Sequence, residues 1–252
     1  MEEHTVTSFK EFNRYIEKYS HKGFGPGWVY RGQANSEWLL TPKVGREEFE
    51  HLNNDRAIFK QWLKDAIAYI SLPNNEWECL ALAQHYGLAT RLLDWSTNPL
   101  IAAFFASIGI PEENGAIFCY VPAWYTDQSH VKTPFEVKDR VYAYTPPALD
   151  ARIINQGGIF TIHPKPNEAL KATVKPGEHP LGHLVKITVT PYAKRELLER
   201  LNLYGINRKT LFPGLDGLSA HINWQYQEIA EGNRKRNNRN RIFQNVSEIY
   251  DG

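Results

Sequence analysis

From Asn98 to Ser107 the chain reads Asn-Pro-Leu-Ile-Ala-Ala-Phe-Phe-Ala-Ser. Asn98-Pro99 opens a helix, because proline is tolerated at the first helical position, where its missing N–H leaves no bond unmade. Leu100 to Ser107 then continues that helix with apolar residues on nearly every face. A helix without a polar side has nothing to present to water and must be buried. Whatever else the chain does, it has to build a core around this segment. The material is present: 7 tryptophans, 13 tyrosines and 12 phenylalanines, each large side chain worth roughly 1.5–3 kcal/mol when buried. A well-packed globule follows, with disorder expected only at the ends.

The chain has 252 residues, and 29 basic against 28 acidic side chains leave a net charge of +1. One domain is the default at this length, and no whole-chain electrostatic case for nucleic acid or membrane exists. Cys79 and Cys119 stand far apart without a second pair, which excludes a disulfide framework and a cysteine-based zinc motif; both are read as reduced core thiols. Met1-Glu2-Glu3-His4 is acidic and begins no apolar leader, and the run Leu100 to Ala106 is far below the ~20 residues that cross a bilayer. A cytoplasmic protein without membrane contact is expected. No repeat or low-complexity linker interrupts residues 5–230. One domain is expected over residues 1–232, followed by a flexible tail, 233–252. Residues 233–242 hold five basic and four asparagine side chains and no acid, and read as solvated.

Local signals predict an α+β chain. Ser8 caps a helix from Phe9, with Phe9, Phe12, Tyr15 and Ile16 as its buried stripe, and Gly23 to Gly27 breaks it. Trp28 to Arg31 has strand chemistry that Gly32 terminates, placing Arg31 at a strand end. Helices are predicted over 54–70, ended by Pro73, and over 76–86, stopped by Gly87. Leu88 to Trp95 reads as a loop or short strand. Strands follow at 116–121, 141–144 and 184–189, the last with Val185, Ile187 and Val189 alternating with polar residues. Thr190-Pro191 caps a helix ended by Gly205. Asn207 starts a short turn, and a last helix runs through Ile222, Trp224, Tyr226 and Ile229 to near Gly232.

Several chemistries are absent at the motif level: no Gly-x-x-x-x-Gly-Lys-Ser/Thr, no Gly-x-Ser-x-Gly and no His-Glu-x-x-His. The glycines of Gly23-Phe-Gly25-Pro-Gly27 precede a strand instead of opening a helix, and Pro26 removes a donor. The nine histidines are scattered and build no helical metal face, so no metal is expected. Three stretches do carry chemistry. Arg31, on a rigid strand, presents a planar fork of donors suited to a phosphate or carboxylate; an internal ion pair with Asp94 is the structural alternative. Asp94-Trp95-Ser96-Thr97-Asn98-Pro99 brings a carboxylate, an aromatic plate and short polar side chains to the start of the buried helix. Asn98 is assigned to capping, whereas Ser96 is left without a structural duty; Asp94 paired with Arg91 and Trp95 in the core are the structural alternatives. Gln156 stands before Gly157-Gly158 and an apolar strand, on a strand edge or turn where glycine admits close backbone approach. His85, at a helix end beside Arg91 to Thr97, is either functional or a satisfied core histidine.

Tyr30-Arg31-Gly32, Ala83-Gln84-His85-Tyr86-Gly87, Thr90-Arg91-Leu-Leu-Asp94-Trp95, Asn98-Pro-Leu-Ile-Ala102-Ala-Phe-Phe105-Ala, Gln156-Gly157-Gly158-Ile159-Phe160 and Gly205-Ile206 to Leu211-Phe212-Pro213 together resemble the FRG domain over residues 8–225. More distantly, an arginine on an early strand, a Ser-Thr step leading into a helix of small and aromatic residues, and a Gln/Glu-bearing strand are similar in order to the Arg-Ser-Glu class of ADP-ribosyltransferases. That resemblance implies a split mixed or antiparallel sheet with flanking helices, and NAD as substrate. Arg31, Ser96, Thr97 and Gln156 would then be the catalytic set, and Tyr30, Arg31, Gly32, His85, Asp94, Trp95 and Ser96 would hold the nucleotide. Arg31 would grip the diphosphate, Ser96 would brace the ribose and Trp95 would stack on a ring, around an oxocarbenium-like centre that calls for a nearby negative charge. Gln156 supplies a neutral amide at the third motif, so Asp94, Glu78 or another acid would have to substitute. The competing readings are a non-catalytic nucleotide-binding module and nucleic-acid contact through residues 234–241. The acceptor of any transfer stays open, and the family resemblance implies a role in bacterial toxicity or phage defence.

Overall fold

The computed structural model describes residues 1–20, 27–49, 54–126, 131–148, 150–173 and 181–230. They fall into two compact units, Met1–Ile206 and Asn207–Gly252, the boundary lying inside the stretch read as one domain. The basic segment 234–241 and, apart from Gly27, the expected break at Gly23 to Gly27 lie outside the described residues.

The first unit is an α+β fold in the order β1 (Glu2–Val6), α1 (Phe9–Lys18), β2 (Val29–Gln33), α2 (Asp55–Ala66), α3 (Glu76–His85), β3 (Leu92–Ser96), α4 (Pro99–Ser107), β4 (Gly115–Tyr120), β5 (Tyr142–Tyr144), α5 (Ala151–Asn155), β6 (Gly158–Ile162), β7 (Leu184–Val189) and α6 (Pro191–Leu203). Helix starts follow short polar side chains. Ser8, Asn54, Asn75, Asn98, Asp150 and Thr190 each accept a first-turn backbone N–H, and Pro99 and Pro191 follow two of these caps.

One seven-stranded mixed sheet, in the order β1-β7-β4-β2-β3-β6-β5, forms the centre. The β1–β7 pair is parallel and the other pairs are antiparallel. The joint between β2 and β3 is a single register pair, Tyr30 with Ser96, whereas β2–β4 and β3–β6 each pair over five residues. The sheet thus divides into two ladders hinged at Tyr30 and Ser96. Side chains alternate across it. On one side Val29, Leu93, Trp95, Ala116, Phe118, Tyr120 and Ile159 build a core with Leu40 and Leu170. On the other, Leu92, Phe160 and Ile162 pack with Phe59, Trp77, Leu80 and Ala83 of α2 and α3, while α4 lies against β2, β4 and α6. Covered by sheet and helix, α4 buries Ile101, Ala102, Ala103, Phe104 and Ala106, as its all-round apolar sequence requires.

Four expectations change. The strand does not stop at Gly32: β2 continues to Gln33, with Gly32 opposite Ile117, so Arg31 is interior to its strand. Glycine is there because α4 crosses at that point, and a Cβ would fall 1.9 Å from the Ala102 carbonyl oxygen. The acidic N-terminus is a strand, β1, on the sheet edge; its Glu2 carboxylate accepts from Lys18 and Tyr19, so polar residues suit this edge. Helix α2 ends at Ala66 instead of near Ile70, and a short helix that was not predicted, α5, precedes Gln156, which lies in the turn after it, the second of the two places expected for it. Cys79 and Cys119 are buried free thiols. Among the described residues no helix is long and apolar enough to cross a membrane.

In the second unit Asn207 and Thr210 form a reciprocal capping box at the start of α7 (Arg208–Leu211). A further helix occupies residues 215–230, as the spacing of Ile222, Tyr226 and Ile229 predicts.

Candidate functional site

The hinge between the two ladders is also the floor of a cleft of about 620 Å³. Tyr30, Gly32, Asp94, Ser96, Gly158 and Phe160 contribute from the strands, and the C-terminal end of α3, one face of α4 and α5 line its sides. The all-apolar α4 supplies Ile101, Ala102 and Phe105 as a dry wall; polar groups come from the other sides. Of the residues singled out in the sequence, Tyr30, Arg31, Gly32, His85, Asp94, Trp95, Ser96 and Gln156 are brought together here.

Arg31 occupies the gap that opens where β2 and β3 part. Its Nη1 donates to the Asp94 backbone carbonyl at 2.7 Å and lies 3.6 Å from Asp94 Oδ2. A carbonyl that a neighbouring strand would otherwise satisfy is thus capped by a guanidinium. Arg31 Nε is buried and has no hydrogen-bond partner, so the fork retains unspent donor capacity. Burial pulls its pKa down, opposed by the Asp94 charge. The Asp94 side chain is 54% exposed against 14% for Arg31, and Gln84 Nε2 holds its Oδ2 at 2.9 Å. Gln84 is oriented in turn by Thr90, whose hydroxyl donates to Gln84 Oε1 at 2.6 Å. Asp94 is the sole carboxylate among the residues lining the cleft. Its partner is Arg31 and not Arg91, which forms a two-pronged pair with Asp55 at 2.7 and 2.8 Å under the Phe135 ring.

The Ser-Thr step sits differently from its sequence reading. Ser96 Oγ donates to the Gln156 carbonyl at 2.7 Å and accepts the Asn98 N–H at 3.0 Å; its hydroxyl therefore has a structural duty, tying β3 to the end of α5 and to the turn before α4. Thr97 does not line the cleft: its N–H extends the β3–β6 ladder to the Gly157 carbonyl at 2.9 Å. Gly157 adopts φ +55°, and a Cβ there would come 2.8 Å from Thr97 Oγ1, which accounts for glycine after Gln156.

The Trp95 ring points away from the cleft. It is buried against Tyr120, and its Nε1–H donates to Thr161 Oγ1 at 2.9 Å. Thr161 Oγ1 in turn lies 3.0 Å from His163 Nε2, within hydrogen-bond distance. Burial, then the Arg31 charge, lowers the His163 pKa to about 3. Among the aromatic residues lining the cleft Tyr86 is 59% exposed and edge-on to His85.

His85 Nε2 is 3.2 Å from Asp150 Oδ1, and that oxygen also accepts the Arg152 N–H as the cap of α5. Burial lowers the His85 pKa, with Asp150 and Asp94 opposing and Arg152 assisting. Gln84, Arg152 and Asp150 were not singled out as functional positions. A usable signal existed for Asp150, an acceptor placed just ahead of Arg152-Ile153-Ile154, where a helix cap belongs. No cluster of histidine, cysteine and acidic side chains able to hold a metal occurs among the described residues.

The fold defines an α+β domain with a cleft of mixed polar and apolar lining at a divided mixed sheet. Residues 26–114 match the family model of the FRG domain. The matched stretch carries Arg31, Gln84, His85, Asp94, Ser96 and the α4 wall, while Arg152 and Gln156 on the opposite wall lie beyond it. No curated protein and no solved structure matches the chain.

Proposed function

We propose that the cleft binds NAD and cleaves its nicotinamide–ribose bond in the manner of an ADP-ribosyltransferase, passing ADP-ribose to a macromolecular acceptor or to water. The observation that carries this is the meeting of Arg31 and Asp94 on the cleft floor, a guanidinium with unspent donor capacity beside the one lining carboxylate. Arg31 suits the diphosphate. Asp94, with a half-exposed side chain, takes the place that the neutral Gln156 leaves open: it can hold a ribose hydroxyl and stabilise positive charge as the bond breaks. The cleft volume falls within the roughly 300–1,000 Å³ of small-molecule sites. A basic segment at 234–241 would add about five phosphate contacts if the acceptor were a nucleic acid.

Calorimetry with NAD and chromatographic assay of released nicotinamide test this together. Arg31→Lys keeps the charge but loses the planar fork, and is expected to weaken NAD binding by tenfold or more, about 1.5–3 kcal/mol. Asp94→Asn is expected to retain binding and slow release about a hundredfold. Absence of NAD binding at millimolar concentration overturns the reading of the cleft. The engaged hydroxyl of Ser96 and the neutral amide of Gln156 favour a second reading, a non-catalytic nucleotide-binding module; NAD binding without nicotinamide release by the unaltered protein selects it.

A further inference from the structure

Asp150 and His85 come from different walls of the cleft, the start of α5 and the end of α3, and meet at 3.2 Å. Asp150 is itself fixed by capping α5 through the Arg152 N–H at 2.8 Å. A carboxylate 3.2 Å from Nε2 favours, by its charge, the tautomer with the proton on that nitrogen, which leaves Nδ1 as the basic nitrogen. Nδ1 makes no hydrogen bond among the described residues, and His85 lines the cleft. On the NAD-cleaving reading above, Asp94 covers the developing cation; a proton acceptor for the attacking group is the part still unassigned.

We propose that His85, oriented by Asp150, is the general base that deprotonates a hydroxyl acceptor, so that the acceptor class is water or an alcohol and not a carboxylate. The step balances without a further reagent. The C1′–N1 bond breaks with its electron pair leaving on nicotinamide, the hydroxyl oxygen bonds to C1′, and its proton passes to His85 Nδ1, giving an imidazolium held by Asp150. A carboxylate acceptor is already ionised and would give this base nothing to do. The charged groups that act on His85 are Asp150 and Arg152 from α5 and Asp94 from β3, with burial holding it neutral near pH 7 and ready to accept.

The test uses the full chain with NAD in water and with methanol as a probe alcohol, separating ADP-ribose from its 1-O-methyl derivative. At saturating NAD, His85→Gln is expected to release nicotinamide roughly 10²–10⁴-fold more slowly. It should also lose the rise in rate with pH through the acid limb. Imidazole should restore part of the rate to His85→Ala. Asp150→Asn removes a charge that favours the imidazolium, so the limb moves to lower pH and the plateau rate falls. The methyl product identifies alcohols as acceptors, and ADP-ribose alone identifies water. Variants that melt earlier but keep the original pH profile overturn the proposal and leave His85–Asp150 as a structural latch. NAD binding without release by the unaltered protein overturns it while the cleft reading stands, and absence of NAD binding overturns both.

Discussion

Ser96 shows why a polar side chain in a candidate site has to be traced to its partners before it is given a role. Its hydroxyl links the Gln156 carbonyl to the Asn98 N–H, and replacing it removes a donor and an acceptor at once. Ser96→Ala is expected to lower unfolding free energy by about 1–3 kcal/mol in denaturant titration, since both backbone groups lose their partner. Arg31 shows the converse. As interior to a strand and 14% exposed it looks structural, yet beside its hydrogen bond to the Asp94 carbonyl its Nε has no partner. Its location at the parting of β2 and β3 keeps it rigid and keeps it at the cleft.

At the scale of elements, the site depends on how closely α4 approaches β2. Gly32 and Gly115 both lie under that helix, and added Cβ atoms would fall 1.9 Å from the Ala102 oxygen and 2.2 Å from the Ala106 oxygen. Gly32→Ala therefore sets backbone against backbone, with no flexible side chain to yield. The expected cost is at the upper end of the roughly 1–3 kcal/mol of overpacking, measured as a fall in the denaturant midpoint, and the displaced α4 is one wall of the cleft. The closeness also accounts for small residues at Ala102, Ala103 and Ala106 in α4. Much of this layer was legible in the sequence: the buried helix, its Asn98-Pro99 start and most strands follow from periodicity and capping chemistry. The β1 strand was not, because Val6 is its one buried residue, and an edge strand held by Glu2, Lys18 and Tyr19 has no hydrophobic alternation to show. Helix α5 was missed for a related reason: five residues are too few for a periodic stripe, and only the Asp150 cap announces it.

For the molecule as a whole, the buried line Trp95–Thr161–His163 ties acid stability to the core behind the cleft. The His163 pKa is depressed in the folded state to about 3 from an ordinary 6.5, so folding favours the neutral imidazole. Its contribution is present in full above pH 6.5 and is lost as pH falls from there toward 3. The expected slope is at most about 1.36 kcal/mol per pH unit, read from urea midpoints between pH 7 and 4, and His163→Gln is expected to flatten it. What the sequence by itself determined is the local chemistry: a helix that must be buried, the caps that start the helices, strands of β-branched and aromatic residues, and the Arg31 and Asp94 side chains as those with something to offer. These are legible because each depends on neighbours a few positions away. Which of them meet was decided by the tertiary structure alone. Arg31 faces Asp94 across 63 positions, Ser96 is spent on Gln156 across 60, Trp95 turns inward, and His85 finds Asp150. The physical reason is that strand order, the parting of β2 from β3 and the crossing of α4 over Gly32 come from packing between segments distant in the chain, and no spacing within a segment records it.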